Sequence, residues 1–215
     1  MNMSELLKKL ETYADSDYLP MHMPGHKRRM GDLGNPFFID ITEIDGFDDL
    51  HHAEGILKQA EERAAELYGS EETHYLVNGS TSGILAAISG CTAAGGTVLL
   101  ARNSHKSAYH AVLLRGLHVH YIYPQPAGKM GINGPVTAEN VDRLLEEHPE
   151  TKMVYITSPT YDGVVSDVER IAEVVHRRKL PLIVDEAHGA HFPFSEQFPK
   201  DSVSCGADVV IHSVH

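Results

Sequence analysis

The sequence is poor in features that would place it outside the ordinary soluble proteins. It has two cysteines, Cys91 and Cys205, in 215 residues. Two thiols so far apart give neither a disulfide framework nor a CxxC pair for zinc or thiol exchange, so reduced thiols are expected. No apolar run approaches the roughly 18 residues of a membrane span. The charged start, Met1 to Leu10, lacks the apolar centre of a signal peptide. Positive charge is also scarce, with 18 Lys and Arg against 30 Asp and Glu and a net charge of −12. A general phosphate-backbone binder is normally basic, so no nucleic-acid partner is expected. Neither repeats nor low-complexity tracts occur. These absences leave a soluble, cytoplasmic protein with no membrane partner, and the acidic balance suits a cationic small substrate without requiring one.

What is present is a large α/β pattern. Residues 5–14 form a candidate amphipathic helix with Leu6, Leu7 and Leu10 on one side. Residues 18–49 are rich in Pro, Gly, His and Asp, show no period, and read as an extended arm. From His51 the periodicity becomes regular. Helices are expected over 52–68, 82–91 and 108–115, after Thr137, and from a capping box at Ser166-Asp167-Val168-Glu169. Short apolar runs at 97–101, 118–123, 153–157, 182–184 and 209–211 read as strands. Continuous apolar strands alternating with amphipathic helices imply a mostly parallel sheet covered on both faces, a three-layer α/β/α architecture. The expected organisation is a helix and arm over 1–50 and one large domain over 51–215.

In such sheets ligands sit beyond the carboxyl ends of the strands. Four polar clusters follow strand ends: 103–107, 158–163, 185–191 and 213–215. A fifth, Asn78-Gly79-Ser80-Thr81-Ser82-Gly83, opens a helix, where free N–H groups and the dipole favour a phosphate. An ordinary N-cap explains that segment equally well. It is neither a Walker loop, for want of the lysine, nor a serine-hydrolase elbow, because Thr81 is central. Asp185, ending the strand 182–184, can hold a pyridine nitrogen protonated, cap a helix or bind a metal. Asp185, Glu186, His188 and His191 offer oxygen and imidazole ligands, but no H-E-x-x-H order occurs and no metal is expected. His105 could stack on a flat cofactor. Lys106 is the nearest in-chain amine for an imine, though an exposed lysine needs no such role.

Taken in order, these motifs resemble the Orn/Lys/Arg decarboxylase family of pyridoxal-phosphate (PLP) enzymes, which share the aspartate-aminotransferase-like fold. The carrying residues are Met23-Pro24-Gly25-His26-Lys27, Asp40-Ile41-Thr42-Glu43, Asp48-Asp49-Leu50-His51, the segment 78–83, the segment 103–107, Pro159-Thr160-Tyr161-Asp162-Gly163, Val184-Asp185-Glu186-Ala187-His188 and Ser213-Val214-His215. The resemblance covers about 20–215. It implies PLP as cofactor, Ser80 and Thr81 as phosphate contacts, and Ser213 and His215 flanking the phosphate. His105 is implied as the ring-stacking residue, Asp185 as the partner of the pyridine nitrogen, and His188 as a neighbour of the ring. The lysine that carries the cofactor in the family is implied at position 216, one past His215, so the chain reads as a fragment of a longer enzyme.

For that parent enzyme the resemblance implies decarboxylation of lysine, ornithine or arginine by a homodimer or an oligomer of dimers. The rival readings are another reaction on the same fold, such as aminotransfer or carbon–carbon lysis, a non-catalytic remnant, and a His/Asp metal-binding module.

Overall fold

The computed structural model describes residues 5–19, 21, 34, 38 and 40–214. The described residues divide into two compact units, those up to 44 and those from 45 to 214. The first unit contains the helix α1 (Glu5–Ala14). The motif 23–27 and His215 lie outside the described residues.

The second unit is built on five strands: β1 (Thr97–Ala101), β2 (His118–Ile122), β3 (Thr151–Thr157), β4 (Leu182–Asp185) and β5 (Val209–Ile211). They form one sheet in the order β2-β1-β3-β4-β5, and every pairing is parallel. The helices are α2 (Ile56–Tyr68), α3 (Gly79–Cys91), α4 (Lys106–Arg115), α5 (Ala138–Glu147) and α6 (Val168–His176).

The apolar strands alternate between two cores, as the two-residue side-chain period requires. Val98, Leu100, Met153, Tyr155 and Ile183 pack with Ile84 and Ile88 of α3 and Ala108 and Ala111 of α4. Leu99, Ala101, Val154, Ile156, Leu182 and Val184 pack with Val141 and Leu145 of α5 and Ile171 and Val175 of α6. Both faces of the sheet are therefore covered, which gives the three layers. Each fully buried Leu, Ile or Val contributes about 1.5–3 kcal/mol relative to an exposed one.

Element boundaries moved where capping decides them. Thr137 accepts from the Asn140 N–H at 3.3 Å and starts α5. At α6 the cap is Asp167, which accepts from the Arg170 N–H at 3.2 Å. The capping box expected at Ser166 does not form. Ser166 is buried, takes the Val136 N–H at 3.1 Å on its hydroxyl, and gives its own N–H to the Ser158 hydroxyl at 3.0 Å. That side chain ties two loops together rather than opening a helix. The helix expected at 82–91 begins earlier, at Gly79, so the Gly-Ser-Thr segment is its first turn.

Candidate cofactor site

Because the strands are parallel, their carboxyl ends share one edge of the sheet. The chain leaves β1 through α4 to β2 on one side, and returns through α5 to β3 on the other. The two helices lie on opposite faces, so the crevice between β1 and β3 is a topological switch point, where such sheets bind ligands. Two buried polar atoms stand without a hydrogen-bond partner at these neighbouring strand ends: Asn103 Oδ1, just past β1, and Thr157 Oγ1, the end of β3. Buried polar atoms are rarely left unpaired. Two of them on one crevice mark a place where polar ligand atoms belong.

Asp185 ends β4 and is 3% exposed. Its carboxylate accepts from the Tyr155 hydroxyl at 3.1 Å and from the Ala187 N–H at 3.2 Å. Burial pushes the Asp185 carboxyl above its usual range, while those two donors and the positive potential of His105 and His188 pull it back. Burial chiefly, then the Asp185 charge, raises the Tyr155 phenol well above its usual value, so Tyr155 remains a donor. A buried carboxylate so held, open to further positive charge, suits a protonated ring nitrogen.

His105 caps α4. Its Nδ1 accepts the Ser107 N–H at 3.3 Å and lies 2.7 Å from the buried Ser107 hydroxyl. These contacts fix the ring from one edge. His188 sits in the turn after Asp185, with its ring edge-on to Tyr161 at 5.9 Å between centroids. Lys106 is the exposed first residue of α4.

The first turn of α3 comes to the same edge. Gly79 has φ of +65°, a conformation that favours glycine. Asn78, at the N-cap, makes no side-chain cap bond, and no acidic residue occupies the first turn. The opening N–H groups have no intrahelical acceptors and face outward with the positive end of the dipole. Ser80 Oγ meets Ser213 Oγ, just past β5, at 2.5 Å, and donates to the His212 carbonyl at 3.3 Å. Thr81 is exposed beside them. The structure thus joins Ser80 to Ser213, although the two are 133 positions apart.

Two residues in this region pair in a way that their sequence positions do not indicate: Glu186, weighed above only as a possible metal ligand, and His212, which lies in none of the motifs. Glu186, 1% exposed, accepts from the Ser202 N–H at 3.0 Å, from the Ser202 hydroxyl at 2.8 Å, and lies 2.8 Å from His212 Nε2. The Tyr68 ring packs on His212 at 4.6 Å, and burial with the Glu186 charge raises its phenol. Glu186 thus turns away from Asp185, and His191 packs against Phe192 and Phe198. The four residues weighed as metal ligands are dispersed among separate partners.

A model of the Orn/Lys/Arg decarboxylase major domain matches residues 4–215. The chain belongs to that family. A Bacillus subtilis protein described as uncharacterized, YaaO, is 40% identical over 222 residues, which covers 98% of this chain and 45% of the relative. Arginine decarboxylase from Bacillus subtilis is 35% identical, over 96% of this chain and 44% of its own. The decarboxylase-family chain thus spans less than half the length of these curated relatives. Among solved structures, lysine decarboxylase A from Pseudomonas aeruginosa superposes with a TM-score of 0.70 at 26% identity, over 96% of this chain and 32% of that one. Pyridoxamine-pyruvate aminotransferase from Mesorhizobium loti, at 18% identity and a TM-score of 0.59, shares the fold.

The family and its fold imply pyridoxal phosphate. The donor set of this edge fits it: hydroxyls and a helix start for a phosphate, a buried carboxylate for a ring nitrogen, an imidazole face for the ring, and two unpaired polar atoms on the crevice between them. No helix among the described residues is long and apolar enough to cross a membrane.

Proposed function

We propose that this chain supplies the cofactor-binding part of a PLP-dependent decarboxylase of basic amino acids, with residues 51–215 as the cofactor domain and residues 1–50 as an arm. The observation that carries this reading is the buried Asp185 carboxylate at the end of β4, held by Tyr155 and Ala187 at the sheet edge that Ser80 and Ser213 also reach. PLP, when bound, supplies a sink for the electron pair left at Cα when a carboxylate departs as CO₂.

The chain's own residues prepare that chemistry. Ser80, Thr81 and Ser213, with the first N–H groups of α3, would hold the phosphate. His105 would lie on the ring face, because Ser107 anchors one edge of its imidazole. Asp185 would keep a proton on the ring nitrogen: its buried negative charge favours the protonated form, and Tyr155 leaves it no freedom to turn away. His188 stands near enough to influence Asp185 electrostatically. His215 retains its proposed place beside the phosphate from the resemblance alone. No role in holding the cofactor is proposed for Lys106, which is exposed at the start of α4.

The substrate class is lysine, ornithine or arginine, and the active form is a cytoplasmic homodimer or oligomer of dimers. The test uses the whole protein with carboxyl-labelled arginine, lysine and ornithine. Labelled CO₂ released from one of them is the expected result. Stoichiometric keto acid without CO₂ would replace this reading with aminotransfer.

A further inference from the structure

Away from the cofactor edge, His120, His148 and Glu150 converge on the side of the sheet's outer strand. His120 lies in the middle of β2, on the same face as Ile122, which belongs to the core under α5 and α6. His148 caps the C-terminus of α5, where the helix dipole favours positive charge. Glu150 immediately precedes β3. The short turn is pinned: the His148 N–H donates to the Leu144 carbonyl at 2.9 Å, and the His148 carbonyl accepts from the Thr151 N–H at 3.1 Å and the Thr151 hydroxyl at 2.7 Å.

The two imidazoles stack at 3.4 Å with 11° between planes. His120 Nε2 lies 3.5 Å, and His148 Nδ1 3.7 Å, from the same oxygen, Glu150 Oε1. One ligand atom from each residue falls within 4.8 Å of the others, the one such group among the described residues. At these separations no good hydrogen bond satisfies the carboxylate. None of the three side chains has another hydrogen-bond partner among the described residues. They are 36%, 26% and 51% exposed, so solvent reaches them.

We infer that His120, His148 and Glu150 form a divalent transition-metal site. Bonds of about 2.0–2.2 Å to a tetrahedral ion place neighbouring ligand atoms roughly 3.3–3.6 Å apart. The two nitrogen-to-oxygen spacings are already near that range. The nitrogen-to-nitrogen edge closes by rotating the rings out of their stack, since two lone pairs in parallel planes do not converge on one ion. Two imidazoles and one carboxylate select zinc-like ions over magnesium or calcium, which take all-oxygen shells. Water fills the remaining position on the exposed side. The ion would clip the outer strand β2 to the α5–β3 turn, and binding to the folded state alone raises stability by mass action.

The test is calorimetric titration of zinc chloride into the whole protein without cofactor, repeated with His120→Ala, Glu150→Gln and the pair. Each variant's fold is checked by circular dichroism. One zinc per chain with micromolar affinity, weakened at least tenfold by either single variant and accompanied by a zinc-dependent rise in Tm lost in the pair, is the expected result. Magnesium chloride should give no saturable heat. Unchanged zinc stoichiometry and affinity in the folded pair would place the ion on other histidines and overturn the site. Absence of saturable zinc binding to the parent protein would overturn it as well.

Discussion

Glu186 Oε2 and His212 Nε2 lie 2.8 Å apart and join the residue after Asp185 to the residue before Ser213. Through this one contact, the ends of β4 and β5, which carry Asp185 and Ser213, are held in register. The backbone repeats the link, because the Glu186 N–H donates to the Ile211 carbonyl at 3.0 Å. The Glu186 side chain is 2% exposed and that of His212 15%.

Removing one member of a buried pair leaves the other without compensation. Glu186→Ala leaves the Ser202 N–H, the Ser202 hydroxyl and His212 Nε2 without their partner and is expected to lower stability by about 2–3 kcal/mol, measured from the urea midpoint and slope. Ser202 loses its acceptor in the same change, so the effect should exceed that of His212→Ala. A loss of about 1 kcal/mol or less would reduce the pair to an ordinary hydrogen bond.

Asp185 bears an opposite cost. Its folded-state pKa is raised by burial, so the proton is held more tightly in the folded chain than in the unfolded one. That contribution to stability is complete below the unfolded carboxyl value of about 3.9 and is lost as pH rises through the folded value. Where Asp185 is ionised, the cofactor-free protein therefore carries a destabilising buried charge. Asp185→Asn should raise the Tm of the cofactor-free protein relative to the parent at neutral pH, and this advantage should shrink in acid. In the whole enzyme the same change should lower turnover by roughly a hundredfold or more. Near-normal turnover would remove Asp185 from the ring nitrogen.

Asp48 has the reverse sign. With φ of 68°, it turns its carboxylate onto the N–H groups of Asp49, Glu54, Gly55 and Leu57, at 2.8–3.1 Å. Those bonds, led by Glu54, hold its pKa down to about 2. The stability it contributes is present above the unfolded value of about 3.9 and is lost as pH falls toward the folded value. Amide exchange at Gly55 and Leu57 should therefore lose protection across that acid window beyond the ordinary pH dependence of exchange. In Asp48→Asn the extra loss should vanish and protection should be lower at neutral pH.

The sheet was legible because its strands are continuous apolar runs, and a parallel strand buried on both faces must look like that. Strand ends were also legible, since Asp185 and Arg102 break apolar runs with polar residues. Helix starts were less so: Ser166 has the right spacing for a cap, but burial against Val136 and Ser158 outweighed it. The site residues drawn from the family motifs come together in the fold for Ser80 with Ser213 and for His105 near Asp185. Glu186 with His212 was not legible. The two are 26 positions apart, and neither residue type indicates a partner without the β4–β5 pairing. Tyr155 was hidden for the same reason, being one apolar-looking position inside β3.

Gly189 tests how tightly the turn behind this edge is packed. A Cβ there would lie 2.6 Å from Glu186 Cγ, 2.8 Å from Pro159 Cδ and 3.2 Å from Phe192 Cε2. Proline is a ring, and Glu186 is committed to Ser202 and His212, so neither neighbour can yield by a simple rotation. Gly189→Ala should lower stability by about 1–3 kcal/mol through overpacking. Gly90, in α3, provides the contrast. A Cβ there meets nothing within 4 Å, so Gly90→Ala should stabilise by about 0.5–1 kcal/mol through the helix-propensity gain. Thermal unfolding of both variants measures the difference. If Gly189→Ala were as stable as the parent, the turn would have room to shift, and the Glu186 carboxylate would not be fixed by its packing.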